Sequence, residues 1–130
     1  MPDPSHGGDR SRSDGAALQV FAQRQLALQA RRETIVGSGA LSTEAWQILM
    51  LTVREAGFGD RAVEADVVRS LGPHASTTRR LIALLVSRGL LRRQGVVLAT
   101  LSLTAKARKA LDNYRRAEIS EWESGLSESG

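Results

Sequence analysis

The chain has 130 residues, 42% of them apolar and 25% charged, with 12 Gly and 3 Pro, the balance of a single compact domain. It has no Cys and two His, which excludes disulfides, thiolate metal sites and cysteine nucleophiles; His6 and His74 stand too far apart in sequence to suggest a metal centre, so neither metal nor cofactor is expected. No apolar run approaches the roughly 20 residues that span a bilayer and no signal core opens the chain, so a soluble, cytoplasmic protein without a membrane partner is expected.

The net charge of +4 is unevenly distributed. Residues 67–111 hold nine basic side chains (Arg69, Arg79, Arg80, Arg88, Arg92, Arg93, Lys106, Arg108 and Lys109) and no acidic one. Clustered Lys and Arg bind phosphate backbones through counterion release, although a solvated basic face has the same composition.

Residues 1–15 and 125–130 are rich in Ser, Gly and charge and are expected to be disordered tails around one domain at 16–124. From 16 to about 36 the good helix formers Ala, Leu, Gln and Arg predict a helix with Leu18, Phe21, Ala22, Leu28 and Ile35 broadly on one side. Val20 and Leu26 lie off that stripe, and a helix apolar on more than one side needs a further partner surface, which a second subunit supplies. Gly37-Ser38-Gly39 breaks the helix; with no strand before it and no third Gly in place it is a linker rather than a dinucleotide loop. Ser42 then offers an N-cap to a helix with Trp46, Leu49, Met50 and Val53 as its core stripe, ending near Gly57.

A short helix at 64–71 stops at Gly72-Pro73. The next, at 75–87, repeats Thr78, Leu81, Ile82 and Leu85 at helical spacing and ends at Gly89. The β-prone runs 90–93 and 96–103 meet at Gln94-Gly95, which reads as a hairpin turn. Thr104 caps a last helix with Ala107, Leu111, Tyr114 and Trp122 on one side.

Two short helices joined by a tight turn and followed by a hairpin form the layout of a winged helix-turn-helix. The segment 41–111 further resembles the MarR family of bacterial winged-helix transcription regulators. The likeness is carried by Asp66-Val67-Val68-Arg69-Ser70-Leu71-Gly72, Ser76-Thr77, Arg80-Leu81, Arg88-Gly89-Leu90 and Leu101-Ser102-Leu103-Thr104. The fold class expected is mainly α with a small β-hairpin: a winged-helix core at 41–104 between N- and C-terminal dimerisation helices. The resemblance implies a homodimer on double-stranded DNA, with the helix at 75–87 of each subunit in a major groove and a small aromatic effector as a further partner.

The residues fit that implication. With Thr78, Leu81, Ile82 and Leu85 inward, the same helix displays Ser76, Arg80 and Ala83, with Arg79 at the flank. Arg grips guanine O6 and N7 with two hydrogen bonds, and Ser or Thr contacts bases or phosphates at a helix start. The candidate DNA-binding residues are therefore Ser76, Thr77, Arg79 and Arg80, with Arg92 and Arg93 on phosphate. Taken alone, Arg79 and Arg80 would read as a solvated surface. His74 is expected to cap or face solvent, and Trp46 and Tyr114 to pack.

Two features depart from the family pattern. The family's wing is longer and carries Asp and Arg at its tip, whereas here the hairpin is cut to Gln94-Gly95 and Val96 and Val97 stand where basic residues are usual, so minor-groove reading by this wing is not expected. Leu84 and Val86 occupy positions the pattern leaves polar, which fits a winged helix turned into a protein-interaction module with a protein partner. No arrangement of nucleophile, base and orienting group suggests an enzyme.

Overall fold

The computed structural model describes residues 4–57 and 59–129, with backbone alone at 4–13, 121, 122 and 124–129. The order is α1 (Pro4–Val36), α2 (Ser42–Ala56), β1 (Ala62–Val63), α3 (Glu64–Ser70), α4 (Ala75–Ser87), β2 (Leu91–Gln94), β3 (Thr100–Leu103) and α5 (Ala105–Ser129). This is the mainly helical winged-helix arrangement expected, with β1 as an addition that two residues are too few to announce in sequence.

α1 and α5 run into the segments 1–15 and 125–130, where composition predicts disorder. Residues 1–3 and Gly130 of those tails, and the side chains of His6 and Trp122, lie outside the described residues. Along α1, Leu28 and Val36 are buried and Ile35 packs at the core edge, but Leu18, Phe21 and Leu26 are exposed. The inward stripe thus holds only for the C-terminal part of the helix, where α2 and α5 lie against it.

α2 is central, packing on α1, α3, α4, β1 and β3. Its buried residues are Ala45, Trp46, Ile48, Leu49 and Thr52, while Met50 and Val53, predicted to face inward, are exposed. Partners on several sides widen the buried arc, and Thr52 enters it by donating its hydroxyl to the Ile48 carbonyl at 2.8 Å. Ser42 is the first helical residue rather than the cap: Leu41 takes the N-cap position, and its apolar side chain makes no capping bond, while the Ser42 N–H is held by the Gly39 carbonyl.

α3 and α4 form the helix-turn-helix. Thr78, Leu81, Ile82 and Leu85 are all buried, as their spacing predicts. Gly89, at φ +76°, closes α4: its N–H reaches the Val86 carbonyl and that of Leu90 reaches Leu85, the pair of bonds that ends a helix through a left-handed residue.

The sheet has the order β1-β3-β2, antiparallel throughout, with Ala62 opposite Leu101 and Leu91 opposite Leu103. The ladder ends at Gln94 opposite Thr100, so the hairpin closes through residues 95–99 and not at Gln94-Gly95 as predicted. At Thr104 the predicted cap is present: the Ala107 N–H donates to its Oγ1 at 3.1 Å, and the hydroxyl donates to the Gly89 carbonyl at 2.6 Å.

The terminal helices are fastened through one cluster. Trp46 and Tyr114 are buried with ring centroids 4.7 Å apart, and the Arg32 guanidinium lies 5.5 Å and 5.6 Å from those centroids while its Nε donates to the Tyr114 hydroxyl at 2.7 Å. Cation–π attraction and a hydrogen bond together join α1, α2 and α5.

Candidate nucleic-acid interface

α4 builds the surface. Burying the stripe Thr78, Leu81, Ile82 and Leu85 turns Ser76, Thr77, Arg79, Arg80 and Ala83 outward, and all five are exposed. Ser76 and Thr77 fall in the first turn, where backbone N–H groups lack intrahelical partners. That turn contains no acidic residue, so the positive end of the helix dipole is left uncompensated, whereas α3 opens with Glu64 and Asp66.

Seven of the nine basic residues of 67–111 divide into two groups, Arg108 and Lys109 lying apart on α5. Arg69 pairs with Asp66 at 3.3 Å, Arg93 with Glu64 at 2.8 Å, Arg88 donates to the Val36 carbonyl, and Lys106 donates to the Arg88 carbonyl at 3.2 Å. Among the described residues no carboxylate lies within ion-pair distance of Arg79, Arg80 or Arg92, and all three are exposed. The structure therefore gathers Ser76, Thr77, Arg79 and Arg80 on one helix, and places Arg92 on β2, which packs against α4.

Arg93 differs from its neighbour. Its guanidinium donates to Glu64 Oε2 from both Nη2 and Nε, and the Glu64 side chain is only 10% exposed. Arg93 neutralises a buried carboxylate first, and any phosphate must share it. His74 stands at the N-cap of α4 without a side-chain cap bond and is exposed.

Leu84 is 40% exposed, and Val86 is half-buried against the core, so the apolar departure on α4 reduces to one residue. A second apolar feature sits at the wing tip, where Val96, Val97 and Leu98 are exposed. Sequence reasoning named Val96 and Val97 at the wing but read 96–103 as one strand, because valine has high β propensity, whereas β3 begins at Thr100. It missed Arg88, whose partner lies 52 residues away and leaves no local trace.

Two clefts of about 300 Å³ flank this lobe. One lies between α1 and α2, with Gln29, Arg32 and Trp46 in its walls. The other is lined by the 36–42 linker and by Leu81, Leu84 and Arg88 of the α4 end. No helix among the described residues is long and apolar enough to cross a membrane.

No protein-family model matches the chain, and no curated protein matches its sequence. Solved structures do share its shape. The chain is similar to the transcriptional regulator Tm0710 from Thermotoga maritima, with a TM-score of 0.55 at 17% identity over 86% of this chain and 79% of that one. It is similar to a MarR-family transcriptional regulator from Rhodococcus sp. RHA1, with a TM-score of 0.52 at 18% identity over 93% and 79%. The ligand-free organohalide-sensing transcriptional regulator RdhR-CbdbA1625 gives 0.56 at 13% identity over 98% and 74%. At these identities the likeness establishes the fold, a MarR-like winged helix.

Proposed function

We propose that this chain is a transcription regulator that binds double-stranded DNA sequence-specifically as a homodimer, with α4 in the major groove. The observation that carries this reading is the exposed face of α4: Ser76, Thr77, Arg79 and Arg80 stand together, without ion-pair partners for the two arginines among the described residues, at a helix start of uncompensated positive dipole. Arg80 reads a base edge, Ser76 and Thr77 hold base or phosphate, and Arg79 and Arg92 neutralise phosphates. The fold shared with solved transcriptional regulators supports the same reading.

The dimer is built on the terminal helices. Leu18, Phe21 and Leu26 of α1 and Ile119 of α5 are exposed within one chain, and a second copy covers them. Half-sites then lie about one helical turn, roughly 10 base pairs, apart. A small effector with an aromatic ring and an anionic group suits the cleft holding Arg32 and Trp46.

Selection of bound fragments from genomic DNA by the purified protein, with its mass measured in solution, tests the reading. Enrichment of a pseudo-palindrome by a dimer is expected. The exposed Leu84 favours a second reading, a protein-interaction module; there Leu84→Glu abolishes a protein contact, whereas for the DNA binder it lowers operator affinity by charge repulsion.

A further inference from the structure

We infer that the cleft between the 36–42 linker and the far end of α4 binds an aliphatic carboxylate, its chain laid on Leu41, Leu81 and Leu84 and its headgroup on the Arg88 guanidinium. The inference stands apart from the DNA-binding reading and holds or fails without it. The cleft encloses about 310 Å³, at the small end of ligand pockets. Ala45 and Leu81 in its walls are buried, whereas Leu41 and Leu84 are 49% and 40% exposed. An alkyl chain between these two leucines removes their apolar surface and its own from water, which favours binding.

Arg88 is held ready for an anion. Its Nη1 donates to the carbonyl of Val36, the last residue of α1, and Gly37 lies so close to the guanidinium that a Cβ there would collide with it. Gly37 takes φ +96°, open to glycine, so the linker can pass at that distance. Among the described residues Nε and Nη2 have no acceptor, and no carboxylate lies within ion-pair distance of Arg88. A carboxylate accepts two parallel N–H bonds from that free edge without displacing the bond to Val36. Because the guanidinium is already fixed, little side-chain freedom is lost when the anion arrives.

The lining selects the chemistry of the ligand. Among its described residues Arg88 is the only charged one and none is aromatic, in contrast to the cleft that holds Arg32 and Trp46. One guanidinium balances one carboxylate, whereas a phosphate dianion calls for a second cation that these walls lack. Aliphatic walls likewise suit a flexible chain that follows the leucines, rather than a ring that gains from stacking on another ring. The bound chain joins the linker to α4, so it favours the folded domain by mass action.

The test titrates octanoate into the full chain by calorimetry and follows the melting temperature. Saturable binding of one octanoate per chain is expected, together with a rise in melting temperature as octanoate is added. Arg88→Gln is expected to weaken octanoate about tenfold through loss of a charge-assisted pair, while uncharged octanol binds that variant and the wild type alike. Leu84→Ser leaves Arg88 and its bond to Val36 in place and is expected to weaken octanoate and octanol together. Arg32→Gln, in the other cleft, is expected to leave octanoate binding unchanged. Failure of octanoate to saturate the wild type overturns the inference, as do equal affinities of the wild type, Arg88→Gln and Leu84→Ser. Loss of octanoate binding in Arg32→Gln alone assigns the carboxylate to the cleft of Trp46 and overturns it too. No duplex enters these measurements, so their failure leaves the DNA-binding reading intact.

Discussion

Arg93 donates to Glu64 Oε2 from Nη2 at 2.8 Å and from Nε at 3.2 Å, tying β2 to the first residue of α3 across the central strand β3. Its neighbour Arg92 points to the other face of the ribbon and is exposed. Two adjacent arginines thus have different work. Arg93→Ala should destabilise the domain by about 1–2 kcal/mol, because it strands a buried carboxylate but loses a partner that is itself half exposed. Arg92→Ala should leave the melting temperature unchanged and weaken binding to all duplexes alike. Thermal unfolding and DNA titration of both variants check this; equal loss of stability would refute the division.

Arg80→Ala should cost about 1–3 kcal/mol of operator affinity and relax preference at one base position. Titration against the selected operator and its single-base variants decides it. Arg79→Ala should act differently, reducing the slope of log affinity against log salt by about one without changing sequence preference.

Phe21→Glu should convert a dimer to a monomer while leaving the winged-helix core folded, since Phe21 is exposed within one chain and precedes Leu28, the first residue of the buried cluster, on α1. Sedimentation at micromolar concentration with circular dichroism reads both properties. A monomeric wild type would remove the dimer from the proposal.

Thr104→Ala should lower stability by roughly 1–2 kcal/mol, removing the α5 cap together with the hydroxyl bond to the Gly89 carbonyl. Thr104→Ser should recover most of the loss, because the hydroxyl and not the methyl makes these bonds. Denaturant unfolding of the two variants measures the difference.

The α4 stripe was legible in sequence because one helix with one buried side gives a clean spacing of three and four. α2 was legible only in part: its partners lie on several sides, so Thr52 and Ile48 go inside while Met50 and Val53 stay out. The hairpin turn was misplaced for a reason of register. A two-residue turn at Gln94-Gly95 would set Leu91 opposite Leu98, but β1 pairs Ala62 with Leu101 and fixes β3 in the core, which brings Leu103 opposite Leu91. β1 has two residues and no pattern, so the strand that sets the register was itself invisible. The candidate arginines could be named from charge and motif, but their division into paired and unpaired depends on Glu64 and Val36, distant in the chain.

The bond from Arg88 to the Val36 carbonyl acts as a strut between the far end of α4 and the end of α1. In the proposed dimer α1 belongs to the framework that joins the two subunits, so the strut sets the pitch of each reading head against that framework. In that proposed dimer the pair of heads is expected to act as a calliper of fixed gape. One inserted base pair between half-sites displaces the second by about 3.4 Å and turns it about the helix axis, beyond what a braced head can follow.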